Sequence, residues 1–212
     1  MEVPERYHSG QCLGQRAWTD SVGSSKSQSS LQSHQIVQTP FKMAQDVANV
    51  ARRVNEAVEE GNNHLDLSNC KLISFPDGVF KVLRTVTENI QSITLANNEL
   101  KALTNKFFAT FVQLRELDLQ GNVLTKLPDA VGEMEHLTSI NLSQNKLTSF
   151  PDRLTDIRTL ENINLENNQI SEVPVQKLSS MPALKTVNMR SNPLDGQPPS
   201  ISSLSFELVI DQ

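Results

Sequence analysis

Asparagine returns along this chain at a nearly fixed interval. "ITLANNEL" ends at Leu100 and holds Asn98; "LRELDLQGNVL", "LTSINLSQNKL", "LENINLENNQI" and "LKTVNMRSNPL" follow with Asn122, Asn145, Asn168 and Asn192. These asparagines stand 24, 23, 23 and 24 residues apart. Each segment fits L-x-x-L-x-L-x-x-N-x-L with apolar residues accepted at L, counting Ile90 and Ile93 for the first. Such a period constrains the fold more than any other feature of the chain. A unit of that length cannot bury its own leucines, so neighbours must stack to make a continuous core.

A further copy precedes these five. "LDLSNCKLISFP", residues 65 to 76, has Leu65, Leu67 and Leu72 in place, but Asn62 at the first apolar position and Cys70 where asparagine is expected. Cys70 lies 28 residues before Asn98, so this repeat is longer than the others. Alternation within each L-x-L predicts a short strand with leucines inward and the intervening residues outward. At the bend after each strand, backbone groups turn inward, and an amide side chain offers both a donor and an acceptor to meet them. Cys70, Asn98, Asn122, Asn145, Asn168 and Asn192 therefore read as a structural ladder. At the first rung there is no earlier repeat to bridge, so Cys70 is expected to be a buried, reduced, slow-reacting thiol.

The outer segments continue the pattern. Leu127-Pro128, Phe150-Pro151 and Val173-Pro174 each follow a strand, and proline interrupts strand pairing and turns the chain outward. The repeat containing Asn98 lacks that proline and carries Phe107, Phe108 and Phe111 instead, which predicts a more helical outer segment. Together these residues, about 62 to 195, resemble the leucine-rich repeats. The resemblance implies an α/β fold: a solenoid forming a short arc of about six repeats, with a parallel sheet on its concave face.

Residues 43 to 61 hold Val47, Val50, Ala51, Val54 and Val58 at helical spacing before Gly61 and read as an N-terminal capping helix. A membrane-surface helix using Arg52 and Arg53 is the rival, disfavoured because its apolar face is only Val and Ala. Residues 1–42, rich in Ser and Gln, read as a disordered extension. Residues 196–212 read as a C-terminal cap or tail in which Phe206, Leu208 and Ile210 alternate.

Charge and cysteine content exclude several classes. Acidic residues number 24 against 19 basic, a formal charge of -5, which argues against nucleic acid. The chain shows no secretory h-region and no apolar run long enough to span a bilayer. Its two cysteines, Cys12 and Cys70, have no metal-type spacing. The expectation is a monomer in the cytoplasm or nucleus, not secreted and not bound to membrane, with no cofactor and no metal.

No P-loop, G-x-G-x-x-G, H-E-x-x-H or G-x-S-x-G motif is present, so no catalytic residues are assigned and the chain does not read as an enzyme. His64 stands beside Asp66, but no nucleophile is apparent for such a pair. The triplet Asn141-Leu142-Ser143 fits a glycosylation acceptor but falls in a strand and is expected to be unused. What remains is the concave face, read in three columns. The first holds His64, Ser92, Glu116, Ser139, Asn162 and Thr186. The second holds Asp66, Thr94, Asp118, Asn141, Asn164 and Asn188. The third holds Ser68, Ala96, Gln120, Ser143, Glu166 and Arg190. This polar surface suggests a non-catalytic interaction module or scaffold that grips a protein or peptide through Asp66, Glu116, Asp118, Gln120, Asn141, Asn164, Glu166, Asn188 and Arg190. The alternative is a regulatory or targeting subunit of an enzyme such as a phosphatase. A third reading puts the interface on the Phe-rich outer segment or on the tail.

Overall fold

The computed structural model describes residues 38–195 and 204–211, almost all within the compact unit Thr39–Gln212. Helix α1 spans Gln38–Glu59. Seven three-residue strands follow: β1 (His64–Asp66), β2 (Ser92–Thr94), β3 (Glu116–Asp118), β4 (Ser139–Asn141), β5 (Asn162–Asn164), β6 (Thr186–Asn188) and β7 (Glu207–Val209). They form one parallel sheet in the order of the chain. Every pair is in register, residue by residue, from His64 against Ser92 to Thr186 against Glu207.

The outer segments return the chain between strands. They contain α2 (Asp77–Leu83), α3 (Asn105–Thr110), 3₁₀ turns at Asp129–Glu133 and Asp152–Asp156, and α4 (Val175–Ser179). Pro76, Pro128, Pro151 and Pro174 sit immediately before four of these, where a residue with no N–H costs nothing. In the repeat without proline, Thr104 precedes α3.

Leu65, Ile93, Leu117, Ile140, Ile163, Val187 and Leu208 point inward at matching places on successive strands, and all are buried. Phe107, Phe108 and Phe111 are also buried, at 0%, 2% and 0% exposure, which corrects the reading of that segment as an interface. Their rings fill the wider outer layer of the first two repeats: Phe107 packs edge-on against Phe75 at 5.0 Å, and Phe80 stacks with Phe111 at 6.1 Å.

Two boundaries differ from the sequence reading. Helix α1 begins at Gln38 rather than Met43, within the segment read as a disordered extension. Pro40 does not stop it, because a proline in the first turn lacks only an N–H that has no helical partner anyway. The segment read as a cap or tail contains β7, which extends the sheet and buries Phe206 and Leu208. The rest of the N-terminal extension, with Cys12, lies outside the described residues.

Parallel in-register stacking fixes the direction of the hydrogen bonds on each side of a strand: at its start, N–H groups donate back to the preceding repeat, as Ser92 does to Asn63 and Glu116 to Gln91. After each strand, N–H groups donate to carbonyls of the next repeat: Leu95 to Asp118 and Asn97 to Gln120, Leu119 to Asn141 and Gly121 to Ser143. The carbonyls of Asp66, the last residue of β1, and of Ser68 just beyond it have no earlier repeat to serve them. Arg53 of α1 takes that place, its Nη1 donating at 3.3 and 2.9 Å. At the other end, the N–H of Ser191 donates to the Asp211 carboxylate at 2.6 Å. Arg53 is thus committed to the sheet edge, and Arg52 pairs with Glu56 on the same helix. That arrangement gives both arginines a role within the fold.

Candidate functional site

The concave face is built on a polar floor. Asn145 shows how each rung works. Its Oδ1 accepts from the N–H of Leu124 at 3.0 Å, and its Nδ2 donates to Leu119 O, Leu142 O and Ser143 O at 3.0, 3.0 and 3.1 Å. Two of these partners, Leu119 and Leu124, belong to the preceding repeat. Asn98, Asn122, Asn168 and Asn192 repeat the pattern, each reaching back one repeat. Asn98 also accepts from the N–H groups of Cys70 and Leu72, both at 3.0 Å. Cys70 itself is free of disulfide, 5% exposed, and its Sγ lies 3.4 Å from Ser68 O. The residue just before several rungs adopts a left-handed backbone, with φ of 55° at Asn97 and 65° at Gly121. A Cβ on Gly121 would fall 2.5 Å from Asn97 Oδ1, so a larger residue there would require the Asn97 side chain to shift, while the backbone conformation itself is one that Asn, Gln and Ser adopt in the other repeats.

Above this floor the three columns line up as the repeat spacing predicts, but the second has a structural duty that spacing does not reveal. Asp66, Asp118, Asn141, Asn164 and Asn188 each accept, through Oδ1, the N–H two residues later, at 2.8 to 3.1 Å. These are Asx turns, and they explain why the column is almost all Asp and Asn. Thr94 is the exception. Each turn orients its side chain and leaves the second oxygen or the amide group facing outward. Cross-strand contacts then tie neighbours together: Asn141 Nδ2 donates to Gln120 Oε1 at 3.4 Å, and Asn188 Nδ2 to Glu166 Oε2 at 3.1 Å. Ala96 and Ser143 in the third column are buried, so that column is broken into patches.

At the β1 end, His64 Nδ1 lies 3.0 Å from Ser92 Oγ, which donates weakly to Glu116 Oε2 at 3.4 Å. A hydroxyl does stand beside His64, contrary to the sequence reading, which missed it because the two are 28 residues apart. Neither nearby carboxylate completes a nucleophilic triad: Glu116 meets the hydroxyl rather than the imidazole, and Asp66 is engaged by the Ser68 N–H and Arg53, with no hydrogen bond to His64 among the described residues. Burial alone would raise the Asp66 carboxyl. Hydrogen bonds from Ser68, then the charges of Arg53 and His64, hold it below its ordinary value. The glycosylation triplet is closed off, since Ser143 is 3% exposed and Asn141 Oδ1 is engaged in its turn.

No cluster of three or more potential metal ligands occurs among the described residues. No described helix is long and apolar enough to cross a membrane. Two clefts lie off the concave face. One, about 360 Å³, is an apolar gap between α1 and the first repeat, lined by Val47, Val54, Leu72 and Val82. The other, about 730 Å³, is a polar groove on the outer side containing Asp152 and Arg153.

Comparison with known proteins agrees with this geometry. The leucine rich repeat family matches residues 63–124, 88–147 and 114–170. Leucine-rich repeat-containing protein 20 of Mus musculus is 65% identical over 153 residues, covering 72% of this chain and 83% of the relative. Its Homo sapiens counterpart is 62% identical over 156 residues, covering 74% and 85%. Among solved structures, the leucine-rich repeat domain of the type III effector XopL aligns with a TM-score of 0.62 at 23% identity, over 79% of this chain and 57% of that one. A leucine-rich repeat protein of Leptospira interrogans aligns at 0.54 and 23%, over 68% and 43%. The chain thus spans about half the length of these two structures, and at such identity they speak to the fold alone.

Proposed function

Because the chain belongs to the leucine-rich repeat family, we propose that it is a non-catalytic interaction module, a scaffold that grips a protein or peptide partner on its concave face. In this reading it works as a monomer in the cytoplasm or nucleus. Proteins of this family serve as interaction modules in general; the concave face as the contact surface is our specific claim. One observation carries it. The polar side chains of β3 to β6 are held in fixed orientations by Asx turns and cross-strand bonds, while the second oxygen of Asp118 and the amide nitrogen of Asn164 have no hydrogen-bond partner among the described residues. Side chains already ordered lose less entropy when a partner arrives, which is what a binding surface gains from being preorganised. Asp118, Gln120, Asn164 and Glu166 lie at the centre of that surface, with Arg190 towards one end.

The test is a comparison of partner capture by the wild-type chain and by a variant with those four central residues changed to alanine. Loss of a partner that the wild type retains, by a variant that still unfolds cooperatively although it has lost the Asx turns of Asp118 and Asn164, is the expected result. Equal capture by both would move the interface elsewhere on the molecule.

A further inference from the structure

The concave face carries most of the protein's charge imbalance. On the strands and the residue columns beside them stand Asp66, Glu116, Asp118, Glu166, Glu207 and Asp211 against two cations, Arg190 and the Arg53 that reaches over from α1. That is six acidic residues minus two basic, a formal charge of -4 out of -5 for the whole chain. The remainder of the molecule, with 18 acidic and 17 basic residues, is nearly balanced. The outer side shows how that balance is kept. Lys106 pairs with Asp77 at 2.9 Å, Arg153 with Asp129 at 3.4 Å and Lys177 with Asp152 at 2.9 Å, each cation coming from a later repeat. At the flank of the sheet Lys185 is paired with Glu161 at 2.6 Å, and Arg115 precedes β3. On the inner face, by contrast, the one ion pair among the described residues is Arg53 with Asp66 at the β1 edge.

The same face has more acceptors than donors left over. Asp118 uses one carboxylate oxygen for its turn, and Glu166 uses one for Asn188. Glu116 receives only the long contact from Ser92. In each case the other oxygen has no hydrogen-bond partner among the described residues. A partner that fits must therefore bring N–H donors and positive charge.

Resting on the concave-face reading above, we infer that the partner presents an extended basic segment, with lysine or arginine side chains seated against Glu116, Asp118 and Glu166. Arginine matches a carboxylate through two parallel N–H donors, and both residues gain from the face's long-range attraction. Polyanions are repelled by the same field. Strands about 4.8 Å apart across seven positions span about 29 Å, the reach of about nine extended residues.

A phage-displayed library of random peptides about 12 residues long, selected on the full chain, tests this. Two variants report separately. The triple change Glu116→Gln, Asp118→Asn and Glu166→Gln removes charge but keeps the turn, since Asn141 and Asn164 form the same one. The single change Asn162→Trp obstructs the exposed face beside them, and Thr186→Trp is a second obstruction should the first unfold the chain. The inference expects selected peptides enriched in lysine and arginine. It expects them to bind the triple variant about tenfold more weakly, and the wild type about tenfold more weakly when salt is raised from about 50 to about 300 mM. Peptides blocked by the tryptophan but neutral or acidic, or indifferent to the triple change, would overturn the basic-partner inference and leave concave-face binding standing. Peptides indifferent to the tryptophan, or no selected peptides, would overturn both.

Discussion

The first strand and the last strand pair of the sheet are completed by opposite chemistry. At β1 the open groups are carbonyls, those of Asp66 and Ser68, and a cation from α1 covers them. Beyond β6 the N–H of Ser191 needs an acceptor, and the carboxylate of Asp211 supplies it. The difference follows from stacking parallel strands in register. After each strand the N–H groups point to the next repeat, as Leu95 does to Asp118, whereas at the start of each strand they point back, as Ser92 does to Asn63; the carbonyls that follow β1 are therefore short of donors, and the N–H groups after a late strand need an acceptor from the next segment. The ladder's donors run backward, each Nδ2 donating to a carbonyl of the preceding repeat. Each asparagine reaches backward, and only the first rung, which has no earlier repeat to bridge, dispenses with the amide and uses Cys70.

This contrast can be broken or sharpened by substitution, measured as the shift in free energy of denaturant unfolding. The largest effect is expected at a middle rung. Asn145→Ala strips partners from four buried backbone groups and should cost about 3 kcal/mol. Arg53→Met keeps the apolar stem but leaves the β1 carbonyls uncovered, and should cost about 2 kcal/mol. Asp211→Ala should cost about 1 kcal/mol, because solvent can reach the Ser191 N–H it abandons, while Asp211→Asn, still an acceptor, should be close to wild type. Cys70→Ala should cost less than about 1 kcal/mol. A cost at Cys70 equal to that at Asn145 would refute the one-directional ladder.

A pH effect belongs to the same edge. The Asp66 carboxyl lies below its ordinary 3.8 in the folded chain. A lowered folded value means its contribution is complete above that pH and is lost as the pH falls through the lowered value. Acid unfolding of Asp66→Asn should therefore be less steep than wild type below about pH 4.

Much of this was readable from residue spacing. The interval between asparagines places all six rungs, the inward leucines and the three concave columns, because a repeat with strict register makes sequence position and spatial position equivalent. Spacing also identifies Phe107, Phe108 and Phe111 as a departure, though only packing shows that they fill the core. What stayed hidden depends on neighbours that spacing does not name. The Asx column reads as free binding surface until the N–H two residues on is seen to claim Oδ1. Arg53 reads as one of two surface cations until the sheet's direction makes β1 an edge short of donors. Ser92 beside His64 is a cross-strand contact with no signature in either segment.

The central functional claim is that the inner face, not the outer, meets the partner. A photoreactive amino acid placed at Asn164 on the inner face, and in a separate chain at Glu133 on the outer side, tests it most directly under irradiation in cells. The account predicts a discrete polypeptide adduct from the Asn164 position and none from Glu133. The same adduct from Glu133 alone, with nothing from Asn164, would contradict it.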